Sequence, residues 1–94
     1  MGLSEQLPQQ PNNDQQDAAE LAEEARKLRR LQVMVNMVMS VIGQDPELTI
    51  EEASELVANT RVAALAMFPG KELAYDLIYR PRFRRLMAER YRLQ

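Results

Sequence analysis

From Leu28 to Ile42 the chain reads LRRLQVMVNMVMSVI, and apolar residues dominate the run. Leu28, Leu31, Val35, Val38 and Ile42 step by three and four residues, the spacing that returns side chains to one face of a helix. Val33, Met34, Met37, Met39 and Val41 widen that face, while Gln32, Asn36 and Ser40, four apart, keep one narrow polar stripe. At about 100° per residue the apolar arc covers roughly 240°, against about 100° for a helix with a single core-facing side. Such a helix is expected to be covered from several directions, by later helices or by a second copy of the chain.

Upstream, DQQDAAELAEEA extends the same helix. Its acids suit the positive end of a helix dipole, with Asp14 or Asp17 as the expected cap. Ala18, Leu21, Ala22, Ala25 and Leu28 form a thin, small-sided stripe suited to close helix packing. Gly43 and Asp45-Pro46 then predict the end of a first helix over 14–43.

Thr49-Ile50-Glu51-Glu52 is a capping box, in which Thr49 bonds forward and Glu52 reaches back. It predicts a second helix over 50–67 that buries Ala53, Leu56, Val57, Thr60, Ala64 and Met67. Phe68-Pro69-Gly70 breaks that helix. A short third helix over 71–79 is expected to turn Leu73, Leu77 and Ile78 inward. Pro81, suited to a first helical turn, opens a fourth over 81–92 with Phe83, Leu86, Met87 and Tyr91 inward.

No stretch alternates polar and apolar residues as a half-buried strand does, and no internal repeat occurs. The expected fold class is therefore all-α: a small four-helix domain over 14–94 with a long central first helix. Residues 1–13 have two prolines, many amides and little to bury, which predicts a disordered tail. The first helix would run about 42 Å and the second about 27 Å. Later helices can cover only the second half of the first, so residues 14–27 are expected to project and to pair with another subunit.

Composition narrows the chemistry. With no cysteine there is no disulfide or thiolate–metal site, and with no histidine the commonest general base is missing. Serine occurs at positions 4, 40 and 54, outside any nucleophile elbow, and the glycines at 2, 43 and 70 make no phosphate-cradling loop. No catalytic residue, metal ligand or cofactor is expected, and the chain reads as a non-enzyme. Asp45, Glu47, Glu51, Glu52 and Glu55 cluster, but their spacing is not that of a calcium loop and suits capping of the second helix.

The net charge of −2 conceals segregation. Residues 1–25 carry six acids and no base, and residues 26–30 carry four bases. The stretch 31–70 has five acids against Arg61, and 71–94 has seven bases against three acids. Electrostatic function is thus local. Arg84, Arg85 and Arg92 fall on the expected outer side of the fourth helix with Arg82 at its flank, and the four are the candidate contacts for a polyanion or an acidic protein partner. Arg90 falls on the apolar side and calls for an acid from a neighbouring element. LTIEEASELV resembles the first helix of a helix-turn-helix. The next segment, ANTRVAALAMFPG, offers neither a short glycine-containing turn nor a polar recognition helix, so that reading is rejected.

Met34, Met37, Met39, Met67 and Met87 are read as core filling, with an adaptable groove as the competing reading. Tyr75 and Tyr79, four apart at the edge of the third helix, are candidate interface aromatics. The self-association and core face is assigned to Leu21, Ala25, Leu28, Leu31, Val35, Val38 and Ile42. No membrane span is expected, since the apolar run is short, interrupted by amides and preceded by four bases. The beginning of the chain lacks the basic and apolar regions of a secretory signal, and a cytoplasmic location is expected. The leading functional reading is a non-enzymatic interaction module that self-associates as a homodimer. The alternative is an RNA- or DNA-binding accessory protein using the arginines of the last helix.

Overall fold

The computed structural model describes the backbone of residues 11–92 and the side chains of residues 15–92. Four helices follow one another: α1 (Pro11–Gln44), α2 (Ile50–Met67), α3 (Glu72–Ile78) and α4 (Arg80–Tyr91). No strand occurs among the described residues, so the fold is all-α. The expected tail over 1–13 lies mostly outside the described residues, but Pro11 to Asn13 are already helical. Proline tolerates the first helical position because it needs no partner for a backbone N–H there. Asp14 and Asp17 therefore sit inside α1 instead of capping it.

α1 continues through Gly43 to Gln44, one residue past the expected end. The Asp45 amide still donates to the Val41 carbonyl at 2.9 Å, and Pro46 then ends the helical path. The Asp45 carboxylate accepts from the Glu47 amide at 3.0 Å, a side-chain-closed turn that redirects the chain.

α2 begins where the capping box places it. The Glu52 amide donates to Thr49 Oγ1 at 3.1 Å, and the Thr49 amide donates to Glu52 Oε1 at 2.9 Å. Thus Glu52, grouped in the sequence with an acidic cluster, has a capping role. Its C-terminal end leads into a tight turn in which the Lys71 amide donates to the Phe68 carbonyl at 3.3 Å. Pro69 and Gly70 fill the turn's two central positions, and Gly70 has φ +79, the left-handed value that position demands of a type II turn.

The core gathers Leu31, Val35 and Ile42 of α1, Ala53 and Ala64 of α2, Tyr75 and Tyr79 at α3, and Phe83 of α4. Val38, Met34, Met39, Leu56, Val57, Met67, Leu86 and Met87 pack around it, partly buried. Four of the five internal methionines thus serve as filling, and Met37 alone among them faces outward. Ala53 and Ala64 are the fully enclosed small residues of α2. Thr60, also buried, is satisfied by donating from Oγ1 to the Leu56 carbonyl at 2.7 Å.

The last helix is lashed to the α1–α2 connection. Tyr91 donates its hydroxyl to the Leu48 carbonyl at 2.8 Å. Arg90 donates from Nη2 to the Asp45 carbonyl at 2.9 Å, and its guanidinium lies 4.7 Å from the Tyr91 ring centroid. Arg90's expected acidic partner is therefore replaced by a backbone carbonyl just past α1, where the helix dipole is negative.

Candidate interaction surface

The two halves of α1 have different surroundings. Its C-terminal half lies on α2 and α4, and Leu31, Val35 and Ile42 are 5%, 1% and 0% exposed. Its N-terminal half projects past the domain, and every residue from Gln15 to Arg26 is exposed. The face assigned from sequence therefore divides. Leu31, Val35, Val38 and Ile42 belong to the chain's own core, while Leu21 and Ala25 are bare and Leu28 remains 46% exposed. Leu21, at 71%, touches little but solvent.

Where the projection begins, α1 and α3 diverge around an apolar groove of about 260 Å³. Leu28 and Leu31 of α1, Leu65 and Phe68 at the end of α2, and Ile78 and Tyr79 line it. Glu24 and Lys71 also line it. The groove continues the Leu21–Leu28 face of the free helix into the folded domain.

The α3 residues take the reverse of the expected arrangement. Leu73, Leu77 and Ile78 face outward, at 73%, 69% and 52% exposure, whereas Tyr75 and Tyr79 are buried. The tyrosines are therefore core residues and not exposed interface aromatics. Their ring centroids lie 5.2 Å apart at 38°. On the side of α3 toward α2, Arg61 Nε and Nη2 donate to the two oxygens of Asp76 at 2.9 and 3.0 Å. The contact is compatible with the adjacent Tyr75 lying in the core.

That bidentate contact holds the Asp76 carboxyl below its ordinary value and raises the Arg61 guanidinium above its own. Among the described residues the buried Tyr75 hydroxyl finds no hydrogen-bond partner, and desolvation pushes its pKa upward.

The arginines of α4 are displayed as the helical wheel predicts. Arg82, Arg84, Arg85 and Arg92 are all exposed, as is Arg80. Among the described residues none of the five pairs with a carboxylate; Arg82 lies 5.7 Å from the Tyr79 ring centroid. Arg80 and Arg84 border an apolar patch of Leu73, Leu77 and Pro81.

A second apolar stripe was only half legible in sequence. Val33, Met37 and Val41 recur every four residues on the side of α1 turned from the domain, at 58%, 61% and 40% exposure. The wide apolar arc predicted covering from several directions; the later helices supply one.

No group of three or more His, Cys, Asp or Glu side chains arranged to hold a metal ion occurs among the described residues. No described helix is long and apolar enough to cross a membrane. Comparison with protein-family profiles, curated proteins and solved structures finds no match.

Proposed function

We propose that this chain is a non-enzymatic helical interaction module that self-associates as a homodimer through the projecting half of α1. The observation that carries this reading is the exposure of Leu21 and Leu28 on one face of a helix that runs free of its own domain. Isolated helices of this length are marginal in water, and tertiary packing of an apolar face is what ordinarily sustains them. A partner on that face would supply the missing packing. The absence of histidine and cysteine supports the non-enzymatic part of the reading.

Sedimentation velocity across a dilution series of the full chain tests it. A species of twice the 10.8 kDa chain mass is expected, dissociating on dilution. Leu21→Glu should leave monomer, while Met37→Glu on the opposite stripe should leave the dimer. A monomer at every concentration would overturn the proposal, and loss of the dimer in Met37→Glu alone would move the interface to the Val33–Val41 stripe.

A polyanion-binding reading draws on the exposed arginines Arg82, Arg84, Arg85 and Arg92. It ranks second because such residues also make an ordinary solvated helix face, and the overall charge is slightly acidic.

A further inference from the structure

The α1 projection carries a polarity that determines how a second copy can lie on it. Asp17, Glu20, Glu23 and Glu24 occupy its outer turns, all exposed. Arg26, Lys27, Arg29 and Arg30 come immediately after, exposed except for the half-buried Lys27. Two pairs already form across the junction within one helix, Glu23–Arg26 at 2.7 Å and Glu24–Lys27 at 3.8 Å. Each remains solvent-exposed, so neither block of charge is consumed.

We infer that two copies pair α1 against α1 in antiparallel orientation about a twofold axis near Glu23, the acidic outer turns of each lying along the basic turn and the α1–α3 groove of the other. The inference rests on the self-association proposed above and adds its orientation, register region and the occupant of the groove.

Two independent features select this arrangement. The first is charge. Parallel helices would set acids beside acids and bases beside bases, whereas reversing one helix about that axis sets Asp17 and Glu20 level with the partner's Arg29 and Arg26, twice. The second is shape. Ala18, Leu21, Ala25 and Leu28 follow the three-and-four spacing of a coiled-coil seam, alternating small and large. A parallel pair would stack alanine on alanine and leucine on leucine. An antiparallel pair sets each leucine against an alanine, so the layers fill evenly and the backbones come close. A helix along that seam also reaches Leu28 and comes to rest beside Ile78, closing the groove.

The cysteine-free chain allows a direct test with single cysteines in the full-length protein. Ala18→Cys and Gln32→Cys, both at exposed positions, would be treated with a short bifunctional maleimide, separately and mixed. In the antiparallel dimer the two copies of residue 18 stand at least ten residues apart along the axis, about 15 Å or more. Neither variant alone should then give a covalent dimer, while the mixture should yield an Ala18→Cys/Gln32→Cys heterodimer.

Self-cross-linking of each variant, with a dimer still present in sedimentation, would overturn the orientation and leave self-association standing. Absence of both cross-links and of a sedimenting dimer would overturn self-association itself. Raising salt from low to about molar concentration should weaken the antiparallel dimer by about ten-fold or more; an unchanged dissociation constant would remove the charge argument.

Discussion

Arg61 of α2 holds Asp76 of α3 by two parallel hydrogen bonds of 2.9 and 3.0 Å, beside the Tyr75 that the seven-residue α3 buries in the core. Because the contact favours the ionised carboxylate, the folded pKa of Asp76 lies below its ordinary 3.8. Its contribution to stability is complete above the unfolded value and is lost as pH falls through the folded value. Asp76→Asn should lower the melting temperature at neutral pH, with the difference from wild type closing in acid below 3.8. Thermal melts across that range check it, and a gap that persists in acid would contradict the assignment.

The buried Tyr75 hydroxyl has no partner among the described residues, which leaves its desolvation uncompensated. Tyr75→Phe keeps the ring against Tyr79 and removes that cost. The substitution should be neutral or stabilise the protein by about 1 kcal/mol in urea unfolding. Destabilisation by a similar amount would mean that the hydroxyl is bonded in solution.

Two glycines should respond oppositely to alanine. Gly43 lies within helical α1, and an added Cβ would meet Leu86 Cδ1 at an ordinary 3.8 Å. Gly43→Ala should therefore stabilise by about 0.5–1 kcal/mol. Gly70 has open space around it but a φ of +79, so Gly70→Ala should cost about 1–2 kcal/mol. Equilibrium unfolding of the two variants side by side tests the backbone assignment.

Val35 and Leu21 share a face of α1 but not an environment. Val35 is 1% exposed within the chain's own core, so Val35→Asp should cost about 4 kcal/mol or more and abolish cooperative melting whatever the oligomeric state. Leu21→Glu should retain the helical circular-dichroism signal of the folded domain. A well-folded Val35→Asp monomer would instead place the dimer interface on the Leu31–Ile42 face.

Charge reversal of Arg84, Arg85 and Arg92 to Glu touches only exposed side chains. Helicity should survive it. If the second-ranked reading holds, the triple variant should lose binding to a short single-stranded RNA in a fluorescence-polarisation titration; equal binding by both proteins would dismiss a nucleic-acid role for this helix.

The course of the backbone was largely legible because local chemistry marked it. Thr49 with Glu52, Pro69-Gly70 and Pro81 are punctuation whose effect needs no tertiary partner, and α2 runs between the expected residues 50 and 67. The core half of α1 was legible because Leu31, Val35, Val38 and Ile42 repeat at helical spacing over several turns. The phase of α3 was not. Leucine, isoleucine and tyrosine surround that short helix, so periodicity offers no preferred side, and its tertiary contacts, such as that with Arg61 fifteen residues earlier, leave no mark in the local pattern. The partner of Arg90 was equally hidden, because a carbonyl acceptor leaves no mark in residue type.

The division of the Leu21–Ile42 face had one visible cause: α1 is far longer than the helices available to cover it. Helix lengths estimated from the sequence indicated that half would protrude. They could not say that the wide apolar arc of the other half would also remain open along Val33, Met37 and Val41.

α1 contains no proline or glycine from Asn12 to Ile42, so it behaves as a continuous shaft between its two ends. The angular setting of Leu21 relative to the domain is therefore a matter of counting residues. Inserting one residue between Leu28 and Leu31 would turn the whole outer segment by about 100° and carry its leucines away from the groove, although neither end need unfold. Seven inserted residues would lengthen the shaft by about 10 Å yet return its phase to within about 20°. Residue number along this span, more than residue identity, sets the direction in which the free end points.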